Sequence, residues 1–88
     1  MIGASLDAEE RETIEEESPR TLRKIDRGEP LSIQDVKAMS KAGIDDNLII
    51  SQIEATRSVF LLSSEEIIDL KESGVSQRVI DYMIRTGE

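Results

Sequence analysis

The chain has 88 residues and a formal charge of −8, and it contains neither cysteine nor histidine. This length leaves room for one small domain with a tail. Because thiolate and imidazole ligands are absent, we expect no metal and no cofactor, and the excess of acids argues against nucleic acid as the main partner.

The first segment, residues 1–17, is acidic and poor in apolar side chains. It carries seven acids against Arg11 alone, a net charge of −6. Such a segment buries too little apolar surface to offset the entropy lost on ordering. We therefore predict a disordered tail, or at most a frayed helix from Leu6 to Glu17 that Ser5 could cap.

A short helix and linker are predicted over residues 18–30. Ser18 suits the N-cap position and Pro19 the first helical position, where a missing N–H does no harm. Gly28 suits the left-handed residue that ends a helix, and Pro30 prevents the helix from continuing.

The remaining residues contain an internal repeat with an offset of 31 residues. Residues 31–53 align without gaps on residues 62–84, and the units extend over 31–57 and 62–88. Five positions are identical: Leu31/Leu62, Ser32/Ser63, Gly43/Gly74, Ile49/Ile80 and Ile53/Ile84. These positions are the caps, turns and apolar sites of a helix–turn–helix, which indicates a repeated structural unit.

Each unit is predicted to form two helices joined by a tight turn. The four helices are expected at about 33–42, 46–56, 64–73 and 77–86, with N-caps at Ser32, Asp45, Ser63 and Ser76. The predicted fold is all-α, a small orthogonal bundle of two helix–turn–helix repeats with a short preceding helix. Phe60, in the connector between the repeats, is expected to fold inward.

Three consecutive positions differ between the otherwise matched repeats and suggest an interface. They give the candidate interface residues Ile50, Tyr82 and Met83; tyrosine and methionine are enriched in interfaces. The open alternative is that these side chains complete the core against the helix at 19–27. The resulting hypothesis is a non-enzymatic interaction or assembly module whose partner is another protein or a second copy.

The alternative function is DNA binding. Residues 66–87 resemble the helix–turn–helix of bacterial repressors around the turn Gly74-Val75-Ser76-Gln77. That resemblance would place Ser76, Gln77 and Arg78 at the major groove. The acids that flank this helix and the net charge argue against it.

No catalytic residues are predicted, and the chain is not expected to be an enzyme. Its carboxylates lie outside apolar stretches that would desolvate them, apart from Asp69 and Asp81 on amphipathic helices, and these two are expected to be surface residues. The contiguous Asp45-Asp46-Asn47 lacks the alternating ligand spacing of a calcium loop.

Taken whole, residues 31–86 resemble a tandem helical repeat of uncharacterised bacterial proteins, many of them lipoproteins of the cell envelope. The resemblance is carried by Leu31-Ser32, Ala42-Gly43-Ile44, Ser58-Val59-Phe60, Leu62-Ser63 and Ser73-Gly74-Val75. It implies no activity and no site residues. With no export signal and no apolar span, the chain is expected in the cytoplasm, or in the envelope if it is cut from a lipoprotein precursor.

Overall fold

Six helices and the short connections between them form residues 6–88, the part of the chain that this computed structural model describes. The helices are α1 (Ala8–Glu17), α2 (Pro19–Arg27), α3 (Ile33–Lys41), α4 (Asp46–Ala55), α5 (Ser64–Glu72) and α6 (Gln77–Thr86). Residues 6–88 contain no strand, and the prediction of an all-α fold is confirmed.

The helices of the two helix–turn–helix units lie at the predicted places. Each predicted boundary of α3 to α6 agrees with the structure to within one residue. Both helices of the second unit begin and end 31 residues after those of the first. That these helices form two copies of one repeated unit, packed orthogonally, stays a prediction.

The predicted caps explain why these helix boundaries could be predicted from the sequence. The side chains of Ser32, Asp45, Ser63 and Ser76 each accept a hydrogen bond from a backbone N–H of the following helix. At the turns, Gly43 and Gly74 have φ angles of 81° and 90°, the left-handed region that glycine enters at least cost. Likewise, α2 begins after Ser18 and ends at Gly28, whose φ is 69°.

The first helix differs from the sequence-based expectation. We expected a disordered tail or a frayed helix, whereas α1 is capped by Asp7, whose side chain and that of Glu10 form a capping box. Its Ile14 is fully buried, and α1 packs against both α2 and α3. One deeply buried side chain and a capping box dock this helix, although it lacks a continuous apolar face. The proposed cap Ser5 lies outside the described residues.

The core runs through all six helices and the connector between α4 and α5. It includes Ile14 of α1, Leu22 of α2 and Phe60, which points inward as predicted. The two units meet where α4 packs against α6. The radius of gyration is 11.8 Å, close to the value of about 12 Å expected for a compact chain of this length.

Candidate functional site

An apolar groove lies beside the connector between α4 and α5, where this segment passes the last turn of α6 and the first turn of α5. Its volume is about 420 Å³. Eight residues line it: Phe60, Leu61, Leu62, Ser63, Ile67, Ile84, Gly87 and Glu88. We call it the C-terminal groove.

The connector is held in place by hydrogen bonds to two parts of the fold, the segment before α3 and the end of α6. The buried hydroxyls of Thr56 and Ser58 lie 2.6 Å apart, and Ser58 Oγ accepts a 2.7 Å bond from the backbone N–H of Leu31. Farther along, the backbone N–H of Phe60 donates to Thr86 Oγ1 at 2.9 Å. Breaking these hydrogen bonds would leave buried polar groups without partners, which costs free energy. The connector therefore keeps its position, and the wall of the groove that it forms is preformed.

Close approach between the connector and α6 requires a glycine at one position. A Cβ atom at Gly87 would lie 2.8 Å from Leu61 Cδ2 and in still closer contact with the carbonyl oxygen of Phe60. Any side chain there would push the connector away from α6 and change the shape of the groove.

Apolar side chains are exposed in and around the groove. Leu61 is 81% exposed and Ile84 36% exposed, and Val59 and Ile68 nearby in sequence are 64% and 54% exposed. Among residues 6–88, these four are the large apolar side chains classed as exposed, and all belong to the connector or the second unit. Exposed apolar side chains that line a groove are a feature of interaction surfaces.

The charge in the segments that form the groove is acidic. Residues 60–67 and 84–88 contain Glu65, Glu66 and Glu88 but only one base, Arg85. Glu66 also fixes the start of α5, because its Oε1 accepts a 2.8 Å hydrogen bond from the backbone N–H of Ser63. Of the three acids, Glu88 lines the groove, and Glu65 and Glu66 lie in the first turn of α5, between the lining residues Ser63 and Ile67.

The start of α3 is built differently, around a buried carboxylate. Asp35 accepts hydrogen bonds from Thr21 Oγ1 at 2.6 Å, from Lys24 Nζ at 2.7 Å and from the backbone N–H of Ser32 at 2.8 Å. Burial acts to raise the pKa of Asp35, but these hydrogen bonds outweigh it and hold the pKa below its ordinary value. This network joins α2 to α3.

A second, more polar cavity of about 540 Å³ lies between the α1–α2 junction and α3. Two of its lining lysines already face carboxylates: Lys37 Nζ is 2.7 Å from Asp69 and Lys41 Nζ is 3.5 Å from Glu17. Because these positive charges are balanced within the protein, the cavity does not form a distinct anion site.

The structure separates the three predicted interface residues. Met83 is fully buried in the core, so its assignment to an interface is corrected. It follows Val79 by four residues and Ile80 by three, and all three therefore lie on one buried face of α6. Ile50 and Tyr82 are half-buried and pack against the edge of the core.

The residues of the DNA-binding alternative lie at the start of α6. Ser76 is its N-cap, and Gln77 and Arg78 are exposed. The Gln77 amide donates a 2.8 Å hydrogen bond to Asp81 of the same helix. A carboxylate thus lies directly beside the side chains that would have to enter the major groove between the negatively charged phosphate backbones.

The sequence reasoning missed most of the groove. Its signal was the apolar run Val59-Phe60-Leu61-Leu62, in which Phe60 was expected to fold inward and Leu62 to match Leu31, whereas Val59 and Leu61 were assigned no place. The connector turns Phe60 inward and leaves Leu61 outside, which depends on its docking against α6.

Comparison of the chain with protein-family models, curated proteins and solved structures finds no match. The resemblance to the tandem helical repeat therefore stays a prediction. Within residues 6–88, no helix is long and apolar enough to cross a membrane. The same residues contain no group of three or more acidic side chains placed to hold a metal ion.

Proposed function

We propose that this protein is a non-enzymatic interaction module that binds another protein through the C-terminal groove. The observation that carries the proposal is the exposure of apolar side chains that line the groove, with Leu61 81% and Ile84 36% exposed. Covering a leucine of this kind stabilises a complex by about 1.5–3 kcal/mol. A few such side chains on a preformed surface give a binding site of useful strength.

The proposal includes a tandem repeat as the architecture of the module. It is supported by the 31-residue offset between α3 and α5 and between α4 and α6, and by matching caps at their starts. In this proposal the two units are copies of one element, of which the second carries the binding surface.

DNA binding through Ser76, Gln77 and Arg78 is the competing proposal. Exposure of Gln77 and Arg78 favours it, and the adjacent Asp81 opposes it. A backbone amide NMR spectrum recorded with and without duplex DNA at low salt separates the two. We expect no shifts; salt-sensitive shifts at these three residues would instead establish DNA binding.

Site-specific photocrosslinking tests the interaction surface. The photoreactive amino acid benzoylphenylalanine replaces Leu61 in one variant and Arg78 in another, and both full chains are expressed in the source cells. Both positions are exposed, but only position 61 lies on the groove. We expect a discrete protein adduct from position 61 and none from position 78.

Two outcomes contradict the proposal. Irradiation that yields no adduct from position 61, or the same set of adducts from both positions, shows that the groove has no specific protein partner. Circular dichroism of both variants checks that the helices remain intact.

A further inference from the structure

We infer that the partner presents a basic amphipathic helix to the C-terminal groove, packed beside α5 as α2 packs beside α3. The inference rests on the proposed function and adds the chemistry of the partner. It is carried by a difference in burial between aligned residues of the two units and by the acidic charge of the groove.

Aligned apolar residues have different exposures in the two units. Three that are buried in the first unit correspond, 31 residues later, to residues that are only partly buried or exposed in the second. The pairs are Leu31/Leu62, Val36/Ile67 and Ile53/Ile84. All three partly covered members, Leu62, Ile67 and Ile84, line the C-terminal groove. The groove is thus the uncovered counterpart of a region that is closed in the first unit.

In the first unit, α1 and α2 both pack against α3, and Ile14 of α1 and Leu22 of α2 enter the core. Of these two helices, α2 is the one whose side chains bond to the capping acid of α3. Lys24 of α2 pairs with Asp35 at 2.7 Å, close to the start of α3. The sequence of α2 is strongly basic, with Arg20, Arg23, Lys24 and Arg27 against Asp26.

In the second unit, the start of α5 corresponds to the start of α3, which is the part of this arrangement that contacts α2. Glu66 occupies the position of Asp35 in the alignment, and both close a capping box at the third residue of their helix. Among the helices of residues 6–88, α5 packs mainly against α6, and Leu62, Ser63 and Ile67 at its start border the groove.

Charge and shape together specify the occupant. An amphipathic helix inserts apolar side chains three or four residues apart into a groove of this kind. Lysine or arginine between them would meet Glu88 in the groove and Glu65 and Glu66 beside it in the first turn of α5, whereas an acidic helix would be repelled. The net charge of −8 on the whole chain acts in the same direction.

The test uses a helix-stabilised peptide of residues 18–30, capped at both ends, as the probe. It is titrated into the full chain, and amide shifts are followed by NMR. A control peptide carries glutamate in place of the four basic residues. We expect the basic peptide to shift the amides of Leu61, Leu62, Ile67 and Gly87, and the acidic peptide to bind at least tenfold more weakly.

Charge variants of the full chain sharpen the test. Glu66→Gln keeps an acceptor for the capping box but removes the charge, and it is combined with Glu88→Gln. We expect this double variant to bind the basic peptide about fivefold more weakly at low salt, and the difference to shrink at high salt. Glu72→Gln, the same change at an exposed position at the far end of α5, should leave affinity within about twofold.

Several results would overturn the inference. Equal binding of both peptides would contradict the basic character of the partner, and an absence of binding would contradict a helical partner. Shifts centred on Ser32 and Asp35 would mean that the peptide exchanges with α2 of the same chain. Groove shifts that depend on protein concentration alone would identify a second copy as the occupant. In the first two cases a specific crosslink from position 61 still upholds the proposed function, so the two failures are distinguishable.

Discussion

The starts of α3 and α5 have the same local pattern but different surroundings. Each helix follows a serine N-cap and carries an acid at its third residue that closes a capping box. At α3 this acid, Asp35, is buried against Thr21 and Lys24 of α2. At α5 the corresponding Glu66 is partly exposed and lies between Ser63 and Ile67, which line an open groove.

The comparison separates what a cap does from what packing does. A capping box satisfies the first backbone N–H groups of a helix in either setting, so both helices begin where the pattern places them. Burial of the acid requires a second helix that brings a lysine and a hydroxyl to it. Sequence identity at the cap therefore says nothing about whether the surface beside it is closed.

The largest expected contrast comes from one aligned pair of isoleucines. Ile53 is 1% exposed and Ile84 is 36% exposed. We expect Ile53→Ala to lower the free energy of unfolding by about 3 kcal/mol, because it leaves a cavity, and Ile84→Ala by less than about 1 kcal/mol. Urea denaturation followed by circular dichroism measures both; equal losses would show that the groove is closed in the isolated protein.

A smaller contrast is expected at the capping acids. Asp35→Ala should cost about 2–3 kcal/mol, since it breaks the cap and leaves Lys24 and Thr21 without their buried partner. Glu66→Ala should cost about 0.5–1 kcal/mol, because it removes only an exposed cap interaction. Urea midpoints at neutral pH provide the measurement, and a Glu66 variant that is as damaging as the Asp35 variant would contradict the comparison.

The smallest effect is a dependence of stability on acid pH. The folded state holds the pKa of Asp35 below its ordinary value of 3.8, so near that pH the unfolded chain binds the proton more readily. The stabilisation is present above the unfolded pKa and is lost as the pH falls through the folded pKa.

Unfolding free energies between pH 5 and pH 2 measure this dependence. We expect Asp35→Asn to reduce the fall in unfolding free energy as the pH drops through this range. The hydrogen bonds and charge of Arg11 also lower the pKa of Asp26, which is exposed, so Asp26→Asn is the matched control. If Asp26→Asn reduces the pH dependence of the unfolding free energy more than Asp35→Asn does, the dominant titrating group lies outside the α2–α3 junction.

Much of the fold could be predicted because its signals are local. The caps at Ser18, Ser32, Ser63 and Ser76 and the glycine turns lie within a few residues of the helices that they bound. The errors came where a non-local contact decided the outcome. The docking of Ile14 against α2 and α3 is a non-local contact, whereas the capping box of Asp7 and Glu10 is a local signal of where α1 begins.

The candidate site was less predictable than the fold. Divergence between the repeats drew attention to Met83, but its spacing from Val79 and Ile80 places it on the buried face of α6. Leu61 was part of a recognised apolar run, yet its exposure follows from how the connector docks on Thr86 and Gly87.

The sequence by itself determined the helical class, the ends of α2 to α6 and their turns, because capping and left-handed glycines are properties of neighbouring residues. Only the tertiary structure decided which apolar residues are covered. Ile53 and Ile84 are the same residue at aligned positions, and the elements packed around each make one part of the core and leave the other on the surface of a groove.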